Sequence, residues 1–143
     1  MTKTAGVLAL GGFMAAFMFT TAGAQATKSV NDGVYSAAQA EKGRAVYTET
    51  CAACHGDKLE GSGPMPPLAG ADFLKNWEGK NLGELFEKTH TTMPATAPGT
   101  LTPEQAADVT AYMLSVGKYP AGSAPLGSKV EPLQAIKIEA PKK

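Results

Sequence analysis

The order of apolar and polar positions divides the chain into an apolar start, a helical middle and a less patterned end. Residues 5–19 are uncharged and largely apolar, and Lys3 precedes them. Small residues at the spacing that a signal peptidase recognises end at Ala24 and again at Ala26. This pattern predicts a secretory signal over residues 1–26 that is cleaved after Ala24 or Ala26.

The same stretch has a second interpretation as an uncleaved membrane anchor. Residues 5–26 carry no charge and are barely long enough to span a bilayer. The Gly11–Gly12 pair and the cleavage positions favour removal instead. We therefore expect export to the periplasm, with a membrane contact only if the signal stays uncleaved.

The first predicted helix covers residues 37–50 and follows a polar leader over residues 27–35. Ser36 stands at the N-cap position, and Gln39 follows at the spacing of a capping box. Gly43 is unusual here, because a glycine in mid-helix costs about 1 kcal/mol relative to alanine. Such a glycine is often found where a second backbone approaches closely.

Two further helices are predicted from the residues at their ends. Asn81 precedes a helix over residues 82–90, with Glu84 at the capping-box position. Thr102 precedes a helix that has proline at its first position and stops near Gly117.

The segments between and after these helices carry loop signals. Residues 56–70 contain four glycines and three prolines, and residues 91–99 form a second loop. Residues 120–143 show little pattern and are expected to form an extended C-terminal tail. No segment has a convincing strand pattern, so the sequence predicts a small all-α domain over residues 36–119.

Charge and composition exclude some classes of partner. The chain has 13 basic and 13 acidic side chains, so it has no basic field that would hold nucleic acid. Aromatic residues make up only 7% of the chain. The core must therefore rest on aliphatic side chains or on an apolar group that is not protein.

The candidate chemistry lies in the segment Cys51–His55. Two cysteines separated by two residues and followed by histidine form a c-type haem attachment sequence. About one helical turn separates the thiols, so both can form thioethers with the vinyl groups of one porphyrin. The imidazole of His55 is then the proximal iron ligand. One covalent haem c would also provide the apolar group that the core of this aromatic-poor chain lacks.

Three other uses of the two cysteines agree less well with the sequence. A dithiol redox motif belongs to an alternation of strands and helices that the pattern does not show. A zinc site needs four ligands, and His90 is the only other histidine. A disulfide is usual in an exported protein, but it does not explain His55.

The predicted sixth iron ligand is Met93, which precedes Pro94 in the loop between two helices. Methionine opposite histidine is the ligand pair of electron-transfer cytochromes and raises the reduction potential. The alternatives are His90, near a helix end, Met65, close behind the haem motif, and an open site. A methionine can also simply fill the core.

Together these segments resemble a class I cytochrome c over about residues 37–119. The segments that carry the resemblance are Cys51–His55, Pro66–Gly70, Met93–Pro94 and Asp108–Tyr112. The resemblance implies a class I cytochrome c fold of three to five helices around one covalent haem. It also implies that the first helix crosses the last, with Gly43 and Tyr47 facing Val109 and Tyr112.

The resemblance assigns haem contacts to three more residues. The carbonyl of Pro66 would accept a hydrogen bond from His55 and so fix the tautomer of the ring. Leu68 would pack on the porphyrin. Trp77 would donate its indole N–H to a haem propionate, with plain packing as the alternative.

The function implied by the resemblance is electron transfer without catalysis. The chain is similar to small bacterial cytochromes that partner periplasmic quinoprotein dehydrogenases. The expected donor is therefore a periplasmic redox enzyme, and the expected acceptor is an oxidase or another cytochrome. Two alternatives stay open: a tightly bound electron-transfer subunit of a periplasmic dehydrogenase, and an open-site haem sensor or peroxidase-like enzyme.

Overall fold

The computed structural model describes residues 28–143, so the predicted signal over residues 1–26 lies outside the described residues. Within the described range the chain forms six α-helices, four of which have eight or more residues, and one pair of short strands. The helices are α1 (Ala37–Thr50), α2 (Ala52–His55), α3 (Gly70–Trp77), α4 (Leu82–Thr92), α5 (Pro103–Val116) and α6 (Val130–Leu133). The strands are β1 (Lys28–Ser29) and β2 (Ile136–Lys137). The predicted all-α class is confirmed.

The three predicted helices are present, and their N-caps are formed. Ser36 and Asn81 cap α1 and α4 by accepting hydrogen bonds from backbone N–H groups three residues on. Thr102 and Gln105 form a complete capping box at the start of α5, with bonds of 3.2 and 2.9 Å. Helix α4 continues past its predicted end to Thr92.

The crossing of α1 and α5 forms the centre of the fold. A Cβ atom placed on Gly43 would overlap the backbone carbonyl of Asp108 and would lie 3.0 Å from Cβ of Tyr112. One turn further, the rings of Tyr47 and Tyr112 lie 5.3 Å apart at 55°. The predicted crossing is confirmed, and it explains why glycine is needed in mid-helix.

Helix α3 and the strand pair are absent from the sequence-based prediction. Helix α3 has eight residues and no side-chain N-cap, and it begins at Gly70, which the sequence assigned to the preceding loop. It is attached to the core by Phe73, which is buried. Within the helix, Phe73 stacks on Trp77 with 6.0 Å between ring centroids. The strands pair in parallel over two residues each, which is too short for an alternating pattern.

The C-terminal segment differs most from the expected extended tail. It packs on the helical core through four buried aliphatic side chains, which are Leu126, Leu133, Ile136 and Ile138. At the other end of the chain, Val30 and Tyr35 of the leader are buried as well. The folded unit is therefore wider than the predicted domain over residues 36–119, because both flanking segments contribute core.

Gln39 joins the C-terminal segment to α1. Its buried side-chain amide donates to the carbonyl of Leu126 at 3.0 Å and accepts from the N–H of Leu126 at 2.6 Å. The capping box predicted for Ser36 and Gln39 is therefore only half formed, because the glutamine side chain is used in this long-range contact.

Replacing Gln39 with alanine is expected to lower the free energy of unfolding by about 2 kcal/mol. The reason is that the backbone N–H and the backbone carbonyl of Leu126 both lose their hydrogen-bond partner. Denaturant unfolding of the whole protein measures this loss. Gln105→Ala is the matched control, because it removes one exposed cap bond and should cost less than 1 kcal/mol. Equal losses in the two variants would contradict the importance of the Leu126 contact.

None of the helices described in residues 28–143 has the length and apolar character needed to cross a bilayer.

Candidate haem site

The two cysteines lie at the junction of α1 and α2. Cys51 ends α1, with its N–H donating to the Tyr47 carbonyl at 2.8 Å, and its own carbonyl accepts from the N–H of His55 at 2.9 Å. Cys51 is buried, Cys54 is exposed, and the two thiols are not joined in a disulfide. Burial raises the pKa of the Cys51 thiol. One helical turn thus presents two free thiols and an imidazole.

The ring of His55 is buried and fixed by one hydrogen bond. Its Nδ1 lies 2.9 Å from the carbonyl oxygen of Pro66, and the side chain is only 6% exposed. A proline carbonyl can only accept, so Nδ1 carries a proton, and in the neutral ring the lone pair is on Nε2. This is the arrangement of a histidine that binds a metal through Nε2, and it fits a haem iron.

The loop that holds Pro66 is closed by backbone hydrogen bonds. The N–H of Gly61 donates to the carbonyl of His55 at 2.8 Å. The N–H of Leu68 donates to the carbonyl of Leu59 at 2.9 Å. Ser62 and Met65 exchange two bonds of 3.1 and 2.9 Å. The predicted loop is therefore an ordered turn that sets the position of the Pro66 carbonyl.

Leu59 is a residue of this loop that sequence reasoning missed. It is buried to 1% exposure and has a positive φ of 62°, which is uncommon for a residue with a branched side chain. Its burial and its backbone bond to Leu68 hold this conformation. The available signal was a single large apolar residue in a stretch of charged and small residues.

Glu60 stabilises the start of the same loop. Its carboxylate accepts a hydrogen bond from the N–H of Lys58 at 2.7 Å. Bonds from its own backbone N–H and from that of Lys58 hold the pKa of the carboxyl below its usual value. The carboxylate of Glu60 is therefore bonded to the backbone of its own loop.

Trp77 and Leu68 are both half-buried at the edge of the hydrophobic core. Trp77 stacks on Phe73, and the ammonium of Lys80 lies 4.9 Å from the centre of its ring. Its indole N–H has no hydrogen-bond partner among residues 28–143. The structure thus shows packing for Trp77, and the role of both residues toward haem stays a prediction.

The three candidates for the sixth ligand lie in different settings. Met93 follows α4 directly and is half-buried. His90 stacks on Phe86 with 5.9 Å between ring centroids. Met65 is 37% exposed in the turn after the haem motif. The structure joins His55 to Pro66, whereas no hydrogen bond within the described residues ties Met93 to the His55 turn.

No group of three or more histidine, cysteine, aspartate or glutamate side chains in the described part of the chain is arranged to hold a metal ion.

The geometry of the site defines a c-type cytochrome domain, and comparison with known proteins gives the same class. The family model described as cytochrome c oxidase, cbb3-type, subunit III matches residues 38–113, more than half of the chain. The chain belongs to this family. The predicted class of protein and its covalently bound haem c are thereby confirmed, and haem-based electron transfer is the role of the domain.

Two curated relatives are oxidase subunits. The chain is 37% identical over 81 residues to the cbb3-type cytochrome c oxidase subunit FixPc of Rhizobium leguminosarum bv. viciae, covering 54% of this chain and 28% of the relative. It is 44% identical over 52 residues to the cbb3-type cytochrome c oxidase subunit CcoP of Azospirillum brasilense, covering 32% and 18%. The chain therefore spans less than a third of the length of these relatives.

Two solved structures are also similar. The sulfane dehydrogenase SoxCD from Paracoccus pantotrophus aligns with a TM-score of 0.45 and 25% identity, over 66% of this chain and 52% of that one. The thiosulfate dehydrogenase TsdBA from Marichromatium purpuratum aligns with a TM-score of 0.40 and 31% identity, over 53% and 17%.

Proposed function

We propose that this chain is a periplasmic one-electron carrier whose haem is bonded to Cys51 and Cys54 and whose iron is held by His55 and Met93. The observation that supports this most directly is the buried His55 ring, tied through Nδ1 to the Pro66 carbonyl at 2.9 Å. It stands one helical turn from two free thiols, so thioether formation and iron ligation use the same turn.

The residues around the site set the electronic environment of the haem. When bound, the haem supplies a single electron-accepting centre that alternates between the ferric and ferrous states. The Pro66 carbonyl would make His55 a stronger ligand by accepting a hydrogen bond from its Nδ1–H. The Met93 thioether would favour the ferrous state, and Leu68 would exclude water. The indole N–H of Trp77, which has no partner among residues 28–143, would be available for a propionate.

The proposed activity involves no substrate and no bond making. The donor is a periplasmic redox enzyme, such as a quinoprotein dehydrogenase, and the acceptor is an oxidase or another cytochrome. Export depends on the apolar segment over residues 5–19, which follows Lys3 and precedes the small residues at positions 22–26.

A second candidate is an electron-transfer subunit held permanently by a larger complex. Both curated relatives are oxidase subunits, which favours this form of the same chemistry. Purification of the tagged protein from its own cells distinguishes the two. A carrier elutes as a free monomer, whereas a subunit elutes with an oxidase or a dehydrogenase in fixed proportion.

The haem itself is tested by the visible spectrum of the exported protein and by haem staining after denaturing electrophoresis. We expect a low-spin c-type spectrum and haem that stays on the chain, because thioethers survive denaturation. In Cys51→Ala/Cys54→Ala the stain should be lost completely, since no covalent link remains. A high-spin spectrum, together with binding of carbon monoxide by the reduced protein, would favour the open-site sensor or peroxidase-like alternative. Absence of haem from the wild-type protein would refute the proposal.

A further inference from the structure

The turn that carries His55 is anchored to helix α1 by a phenol. Tyr47 is 1% exposed, and its hydroxyl donates a hydrogen bond to the carbonyl oxygen of Gly56 at 2.6 Å. Gly56 directly follows His55 and ends α2, with its N–H donating to the Ala52 carbonyl at 2.9 Å. We propose that Tyr47 is a positioning residue for the proximal histidine, through the bond from its hydroxyl to Gly56. This inference rests on the proposed ligand role of His55.

The ring of Tyr47 is held rigidly, so its hydroxyl has a fixed place. It contacts the ring of Tyr112 with 5.3 Å between centroids. One turn earlier, Gly43 brings α1 against the backbone of Asp108 in α5. The crossing of the two longest helices thus determines where the phenol points.

Three further bonds reach the His55 turn from the loop that follows it. Gly61 donates to the His55 carbonyl at 2.8 Å, and the Pro66 carbonyl lies 2.9 Å from Nδ1. The N–H of Leu59 also donates to the Gly56 carbonyl, at the long distance of 3.3 Å. The Tyr47 hydroxyl bond comes instead from a side chain of α1, so it ties the end of the turn to the rigid helix pair.

Tyr47→Phe keeps the packed ring and removes only this bond. The carbonyl of Gly56 is then left with the long bond from Leu59 and takes up water instead. Water and an uncompensated carbonyl dipole beside the proximal ligand stabilise the more positive, oxidised iron. The reduction potential should therefore fall. We expect the equilibrium constant against a reference one-electron couple to change about threefold. This is less than the roughly 10-fold or larger change in metal affinity or activity that follows loss of a partner bonded directly to the ligand. The threefold change corresponds to about 28 mV at 59 mV per tenfold change.

Two matched variants separate positioning from packing. Tyr35→Phe removes a buried phenol bond of the same kind, from the Tyr35 hydroxyl to the Tyr119 carbonyl at 2.8 Å, in the leader rather than at the haem turn. Tyr112→Phe removes the hydroxyl from the ring partner of Tyr47, and that hydroxyl makes no hydrogen bond within residues 28–143.

The experiment compares the purified haem proteins by redox titration, by proton NMR of the His55 ring in the oxidised state, and by denaturant unfolding. We expect Tyr47→Phe to lower the potential and displace the His55 resonances. Tyr35→Phe should lose a similar amount of stability but keep the wild-type potential and His55 resonances. Tyr112→Phe should change neither the potential nor the resonances. If Tyr47→Phe loses stability but keeps the wild-type potential and resonances, Tyr47 only packs and the inference is wrong. A wild-type haem without His55 ring resonances would instead overturn the proposed ligands, and this inference with them.

Discussion

Met93→Ala is expected to lower the reduction potential by on the order of 0.2 V, within the roughly 0.8 V over which axial ligands set haem potentials. A thioether ligand favours ferrous iron, so if Met93 binds the iron as proposed, its loss stabilises the ferric state. Met93 follows α4 directly and is half-buried, as expected for a side chain that leaves a helix end to meet a cofactor. Redox titration gives the potential. The weak far-red band of methionine bound to ferric iron should vanish, and carbon monoxide should bind the reduced variant.

Two variants serve as controls for this ligand. Met65→Ala removes a methionine that is 37% exposed, and His90→Ala removes a ring that stacks on Phe86. Both are expected to keep the low-spin spectrum and a potential near that of the wild type. Loss of the low-spin spectrum in His90→Ala, with Met93→Ala unchanged, would assign the sixth position to the histidine.

Gly43→Ala is expected to destabilise the protein by about 3 kcal/mol, the upper end of the usual cost of overpacking. The new methyl group would overlap the Asp108 carbonyl, which is backbone and moves only if α1 and α5 separate. Alanine is the better helix former by about 1 kcal/mol, which offsets only part of this cost. The midpoint of denaturant unfolding measures the change, provided that the slope of the transition stays constant.

The control for Gly43→Ala is Ala45→Leu, which adds carbon atoms to an exposed position of the same helix. It should change the free energy of unfolding by less than about 0.5 kcal/mol. Wild-type stability in Gly43→Ala would mean that the two helices have room to separate without loss.

The sequence alone determined the parts of this protein that depend on neighbouring residues. The spacing of Cys51, Cys54 and His55 carries the haem chemistry because one helical turn brings all three to the same cofactor. The caps at Asn81 and Thr102 were recognisable for a similar reason, since each bonds to a backbone group three residues away. The family match confirms the class and the cofactor.

The tertiary structure alone decided the contacts whose partners lie far apart in the chain. The side chain of Gln39 fits a local cap, yet it pairs with Leu126, 87 positions away. The aliphatic residues of the C-terminal segment lack a helical or strand period, because each packs separately against a core formed by other elements. The bond from Tyr47 to Gly56 likewise depends on how α1 crosses α5. The polarity of a side chain indicates what kind of contact it makes. The tertiary structure determines which residue it contacts.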